Sequence, residues 1–248
     1  MNRRQVVSAL SLTLIVLLAA GLRFHRLGVQ SFWNDEGNSA RLVERSIRLI
    51  LEGAAGDIHP PGYYLALHGW RALVGDTEFA LRAYSVLCGV LTISVAAAIG
   101  RRMGGWATAL GAAVILALHP LAVYYSQEAR MYAQLGLTVA LTLWAAVRLV
   151  DRTKPGTFPS PWAIAGLALS VTAGLYTQYA YGFALLGLNL VFGLAWLVEG
   201  MRRWRRVVAW VSAHLVGALL FLPWAPIALR ARGWRPPDLA EGSTLRAV

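Results

Sequence analysis

Phe32-Trp33-Asn34-Asp35-Glu36-Gly37 sets two adjacent carboxylates behind a tryptophan, ten residues or so after the first hydrophobic run ends. Two more polar islands follow: His59-Pro60-Pro61-Gly62-Tyr63-Tyr64, and then Tyr124-Tyr125-Ser126-Gln127-Glu128-Ala129-Arg130-Met131-Tyr132 between two later apolar runs. Nearly everything around them is apolar. The chain is 57% hydrophobic and 14% charged, with a mean hydropathy of +0.53. Soluble domains carry roughly 25% charged residues, so this composition implies a polytopic membrane protein. A membrane with all three islands on one side explains how they could act together.

Residues 6–22 form a 17-residue apolar run behind Arg3 and Arg4. Ala19-Ala20-Gly21 would suit a signal-peptide cleavage site, but a signal core is usually shorter and further spans follow, which favours an uncleaved first transmembrane helix. From Gly37 to Glu52 the pattern reads as one amphipathic helix. Ala40, Val43, Ile47, Ile50 and Leu51 share one face, and Arg41, Glu44, Arg45, Arg48 and Glu52 the other. Asp35 is placed to cap it, and Glu44 to Arg48 has the favourable i,i+4 order. Such a helix lies along the membrane surface. Residues 63–74 reach only about 18 Å, short of the ~30 Å hydrocarbon core, and include His68 and Arg71. They read as interfacial or re-entrant.

Longer runs follow at 79–100, 106–123, 131–150, 162–177, 181–198 and 207–227, making seven spans. With the N-terminus cytoplasmic, the cytoplasmic side holds 11 basic and two acidic residues, and the other side 12 and 10. That is a strong positive-inside bias, and counting 63–74 as a span would reverse every later arginine pair. The three islands, and Tyr176-Thr177-Gln178-Tyr179, then face the extracytoplasmic side. The chain passes Leu222-Pro223-Trp224-Ala225-Pro226 at an interface and continues into a polar tail carrying Arg230, Arg232, Arg235 and Arg246.

The net charge of +11 does not imply nucleic acid, because the arginines are scattered in short groups between apolar runs. Cys88, the single cysteine, sits in an apolar run and reads as a small core residue. No cysteine and histidine spacing suggests structural zinc. Asp35 and Glu36 suit a helix start complementing the dipole, a general base for an acceptor hydroxyl, or a divalent-metal ligand. Pro60 and Pro61 fix an extended backbone around His59, either as a rigid turn or to aim an imidazole at a phosphate. Arg130 suits a bidentate grip on a lipid-linked phosphate, and the tyrosines beside it suit interfacial anchors.

Trp33-Asn34-Asp35-Glu36, His59-Pro60-Pro61-Gly62-Tyr63-Tyr64, Leu81-Arg82 and Tyr125-Ser126-Gln127-Glu128-Ala129-Arg130-Met131-Tyr132 resemble the GT-C membrane glycosyltransferases of the protein O-mannosyltransferase and aminoarabinose-transferase type. The resemblance covers almost the whole chain in order and spacing. It implies an all-α polytopic enzyme that transfers a sugar, with inversion, from a polyprenyl-phosphate donor to an extracytoplasmic acceptor, protein or glycolipid. Asp35 would take the acceptor proton, with Glu36 assisting it or orienting a ligand. Arg130 and His59 would stabilise the leaving polyprenyl phosphate, and Glu128, Tyr125 and Tyr132 would line the site. A divalent metal is neither required nor excluded by these motifs. Gln178 stands where many relatives carry a histidine and receives no role. The family has more spans and a large extracytoplasmic C-terminal portion. Residues 1–248 are therefore expected to be one transmembrane domain from the N-terminal part of a longer chain, with 23–78 its first outer loop. The expected setting is a bacterial plasma membrane. The competing readings are a lipid-phosphate carrier, which would place polar groups inside the spans, and an accessory subunit acting only with a partner.

Overall fold

A computed structural model of the protein describes residues 2–151, 158–199 and 204–231, and the described residues contain helices and no strand. Helix α1 spans Arg3–Phe24 and begins with a capping box between Asn2 and Gln5. Three short helices follow: α2 (Asn34–Val43), α3 (Ile47–Ala55) and α4 (Gly62–Val74). Next come α5 (Glu78–Leu118), α6 (Pro120–Ser126), α7 (Tyr132–Asp151), α8 (Pro161–Thr177), α9 (Tyr181–Glu199), α10 (Trp204–Phe221) and α11 (Ala225–Ala231). The most extensive packing joins α5 to α1 and α7, and α8 to α7 and α10.

Helix α5 is a hairpin rather than a rod. Gly105 has φ 76° and ψ −162°, a conformation that only glycine adopts without strain. A Cβ on Gly100 would lie 2.9 Å from the Thr108 carbonyl oxygen. On a straight helix eight residues span about 12 Å, so the chain must double back. Ile93 and Ala97 of one arm then pack on Ala109, Ala113 and Ala117 of the other. These arms are the expected runs 79–100 and 106–123, except that the second stops at Leu118. His119 is extended, and Pro120 at the first turn starts α6 afresh. Among the described residues, four helices, α1, α5, α7 and α9, are long and apolar enough to cross a membrane, and α8 is apolar but shorter. The protein is a multi-pass, all-α membrane protein. Its seventh expected run, 207–227, is divided by the turn at 222–224 between α10 and α11.

The first loop differs from expectation. The predicted single helix over 37–52 is two helices, broken where Ser46 is extended at ψ 154°. The break lets Val43 of α2 and Ile50 of α3 enter the same core beside Tyr63, Tyr64, Leu67 and Met131. Ile47 and Leu51, which share the apolar face in the sequence pattern, do not join this core and are exposed. Trp33 rather than Asp35 occupies the N-cap, leaving Asp35 and Glu36 in the first turn. Glu44 and Arg48 now fall on either side of the break, and Arg48 pairs instead with Glu52 at 2.8 Å. Helix α4, 13 residues long, is too short to cross a membrane and packs against α2, α5 and α8. Its start lies so close to the end of α8 that a Cβ on Gly62 would sit 2.6 Å from the Tyr176 carbonyl oxygen. Trp224 closes this core from the far end of the chain, donating its indole N–H to the Tyr179 hydroxyl at 3.0 Å.

Candidate active site

The first turn of α2 points its two carboxylates at different partners, because consecutive helical residues are about 100° apart. Glu36 turns inward and is 1% exposed. Its Oε1 accepts from Arg82 Nε at 2.8 Å and from the Ala129 N–H at 2.7 Å, and its Oε2 accepts from Arg82 Nη2 at 2.6 Å. The remaining Arg82 N–H groups donate to the carbonyls of Leu27, Gln30 and Ser31. Arg82 also lies 5.3 Å from the centroid of Phe32. This pair ties the first loop, the start of α5 and the 127–131 turn together. Glu36 is thus an anchor with no free oxygen, not a second open carboxylate.

Asp35 faces the other way, with its side chain 45% exposed. Arg130 reaches it from the third island, Nη2 to Oδ2 at 3.6 Å, while its own side chain is 6% exposed. Arg130 Nη1 donates to the Asp35 carbonyl at 3.3 Å and to the Ser39 hydroxyl at 3.2 Å. Ser39 in turn donates to the same carbonyl at 3.0 Å, which fixes α2 against the guanidinium. The buried Arg130 Nε has no partner. A buried donor without a partner is a place for a ligand oxygen or an ordered water. Burial works against the Arg130 charge, but Tyr64, Asp35 and Tyr132 outweigh it and hold the guanidinium protonated.

His59 joins this cluster through Asp57 and Tyr64 rather than directly. The His59 ring Nδ1 lies 3.2 Å from Asp57 Oδ2, and the Tyr64 hydroxyl donates to that oxygen at 3.1 Å. Burial alone would raise the Asp57 pKa. The His59 hydrogen bond and charge, the Ile58 N–H and the Tyr64 hydroxyl reverse this and lower it. Burial, then the charge of Asp57, pushes the Tyr64 hydroxyl well above its ordinary range, so it stays a donor beside Arg130.

The expected lining residues separate into two cavities. Glu128 lines a 1040 Å³ cavity with Trp33, Glu36, Arg82, Tyr124 and Gln127. Burial holds its carboxyl above the ordinary range, and the charge of Glu36 adds to this against Tyr124, Arg130 and Arg82. Tyr125 and Tyr132, with ring centroids 4.7 Å apart, line a smaller 200 Å³ cavity beside Arg23 and Gly89. Among the described residues, no three histidine, cysteine, aspartate or glutamate side chains gather to hold a metal ion. Asp35 is the open carboxylate here, and one carboxylate does not make a dedicated metal site.

Arg82, Ser39, Asp57 and Tyr64 are the members that the sequence reading assigned no role. Arg82 had a signal: it is a lone charge one turn inside an apolar run, and such a charge needs a partner. Asp57 and Ser39 had none, since polar residues of those types are common in any loop or short helix.

A bundle of apolar helices with its polar groups gathered at one end, carboxylate beside buried arginine, is the arrangement of GT-C membrane glycosyltransferases. Residues 58–227 match the family model of dolichyl-phosphate-mannose-protein mannosyltransferases, and the chain belongs to that family. No curated protein matches the chain. The fold is similar to that of a chain in the S. cerevisiae protein O-mannosyltransferase Pmt1-Pmt2 complex bound to the sugar donor, with a TM-score of 0.67 and 17% identity. The similarity covers 90% of this chain and 34% of that one, so the chain spans about a third of the length of the solved relative.

Proposed function

We propose that the protein carries the catalytic end of an inverting glycosyltransferase that moves a sugar from a polyprenyl-phosphate carrier to an acceptor hydroxyl. The observation that supports this best is the exposed Asp35 carboxylate 3.6 Å from a buried Arg130 whose Nε is unpaired. Asp35 accepts the proton of the acceptor hydroxyl as its oxygen bonds to the anomeric carbon. The bond from that carbon to the phosphate oxygen breaks on the opposite face, and the electron pair leaves with the polyprenyl phosphate. Arg130 stabilises the charge that develops there, being fixed beforehand by Ser39, while the Tyr64 hydroxyl, committed to Asp57, braces the loop beside it. His59 holds Asp57 through its Nδ1. Glu36 positions the loop that carries Asp35. No step passes through a metal.

The reading places the cluster on the extracytoplasmic face of a bacterial plasma membrane, where the positive-inside bias of the loops directs it. The test is transfer of labelled sugar from a polyprenyl-phosphate donor by the full-length gene product, purified alone. Transfer by the purified protein, lost in Asp35→Asn and kept in the presence of a chelator, supports the reading. Undiminished transfer by Asp35→Asn would overturn the mechanism, and absence of transfer until a partner is added would make the protein an accessory subunit.

A further inference from the structure

The 1040 Å³ cavity beside the candidate site is lined by neither Asp35 nor Arg130. The turn at 128–130 explains the separation. Ala129 gives its N–H to Glu36 at 2.7 Å, and the residues on either side of it part. Arg130 goes to Asp35 and Ser39, and Glu128 goes to the cavity with Trp33 and Tyr124. The first turn of α2 therefore has one side built for a departing phosphate and another that the transfer chemistry has not used. Trp33, two residues before Asp35, is 46% exposed, and Glu128 is 7% exposed with the Tyr124 hydroxyl facing it. The loop wall of the cavity has little backbone to offer. The carbonyls of Leu22 and His25 accept from Gln127 Nε2, and those of Leu27, Gln30 and Ser31 accept from Arg82. Recognition there falls to aromatic faces and a carboxyl group.

We propose that this cavity is the acceptor subsite and that its occupant is a glycan, with a sugar ring stacked on Trp33 and its hydroxyls donating to Glu128. The assignment rests on the sugar-transfer reading above and adds the class of acceptor. Inverting transfer brings the acceptor hydroxyl to the face of the donor sugar opposite the departing phosphate. With the phosphate at Arg130, the acceptor enters from the Glu128 side over Trp33, and its hydroxyl meets the exposed Asp35 carboxylate. That hydroxyl gives its proton to Asp35 as its oxygen bonds to the anomeric carbon, and the bonding pair departs with the polyprenyl phosphate. An ionised carboxylate has about four lone-pair positions, so Glu128 has capacity for a pair of neighbouring hydroxyls besides Tyr124. An extended peptide would need main-chain partners, and the five carbonyls on this wall are already engaged. The volume of 1040 Å³ lies at the upper end of the ~300–1,000 Å³ that holds a compact ligand, which suits an oligosaccharide better than a single side chain.

The test uses the full-length protein with a labelled polyprenyl-phosphate sugar and follows release of polyprenyl phosphate. Trisaccharides of glucose, galactose and mannose are compared with a serine- and threonine-rich peptide. A trisaccharide should accelerate release and become labelled, and the peptide should not. Glu128→Gln should raise the KM for that trisaccharide about tenfold, the scale of a hydrogen bond to a charged group, with the KM for the donor unchanged. Trp33→Ala should raise it by up to about tenfold, and Trp33→Phe, which keeps a ring, should restore most of the loss. Acceleration by the peptide alone, by neither probe, or a shift in the donor KM in place of the acceptor KM would overturn the subsite. So would a fall in kcat or thermal midpoint in Glu128→Gln with the acceptor KM unmoved, which is the mark of a structural carboxyl. Donor release that survives Asp35→Asn overturns instead the transfer reading on which the subsite rests.

Discussion

Asp35 and Glu36 are neighbours in sequence, each faces an arginine, and the two pairs could hardly be more different. Glu36 and Arg82 form a closed pair: a fork of two bonds at 2.8 and 2.6 Å, a third bond from Ala129, and every remaining guanidinium N–H on a carbonyl. Asp35 and Arg130 form an open one, at 3.6 Å, with the carboxylate exposed and the arginine Nε unpaired. A closed buried pair has no capacity left for a substrate and holds the fold in register. An open pair has reactive capacity that the fold itself does not consume. The difference assigns structure to one carboxylate and chemistry to its neighbour.

Substituting across the two pairs is the sharpest way to break that contrast. Asp35→Asn should lower transfer by about 10,000-fold, the upper end for a general base, with the thermal midpoint nearly unmoved. Glu36→Gln should do the reverse, losing protein before it loses specific activity. If both variants fold and both lose only activity, the two carboxylates act as one unit and the contrast fails. Arg82→Ala strands Glu36 as a buried uncompensated charge, and its cost should be about 3–5 kcal/mol of stability, read from thermal or denaturant unfolding. Arg130→Ala, on the open side, should cost about 100-fold in transfer, the scale for removing one preorganised donor. It should raise the KM for the lipid donor more than that for the acceptor. Equal effects on both substrates would move Arg130 to the structural column with Arg82.

Much of this was legible before any coordinates. The apolar runs, the arginine pairs between them and the three islands define a polytopic protein with one polar end. The gap between the runs 79–100 and 106–123 marks the turn of α5, which the structure places at Gly105. The break at residues 44–46 was not legible, because Glu44 and Arg45 are good helix formers. Tertiary packing overrides them, since Val43 and Ile50 must enter one core. The contrast between Asp35 and Glu36 was equally hidden. Nothing local says which of two successive helical residues will meet Arg82, which lies 46 positions further on. His59 was matched to a phosphate by its motif, but its ring is held by Asp57, two residues before it in a loop that carried no signal.

The smallest expected effect concerns that loop, which supports the open pair from behind. Asp57 is held by His59, the Ile58 N–H and Tyr64, and its folded pKa is lowered below the ordinary 3.8. A depressed carboxylate contributes stability that is fully present above its unfolded pKa and lost as pH falls through the folded one. The Asp57 side chain is 40% exposed, so screening limits the contribution to under about 1 kcal/mol. Glu128, whose carboxyl is raised, has the opposite sign: the fold favours its protonated form, and its ionisation weakens stability as pH rises past the ordinary carboxylate range. Acidification below the ordinary 3.8 should therefore erode the stability that Asp57 contributes, in a range where the Glu128 carboxyl is already protonated. Asp57→Asn should flatten the acid limb of the stability profile and leave the limb above pH 4 as it was, measured by thermal unfolding across pH. Glu128→Gln should flatten the upper limb instead. An acid limb that survives in Asp57→Asn would mean that the support behind Arg130 comes from Ser39 alone, and the open pair would then be held from one side only.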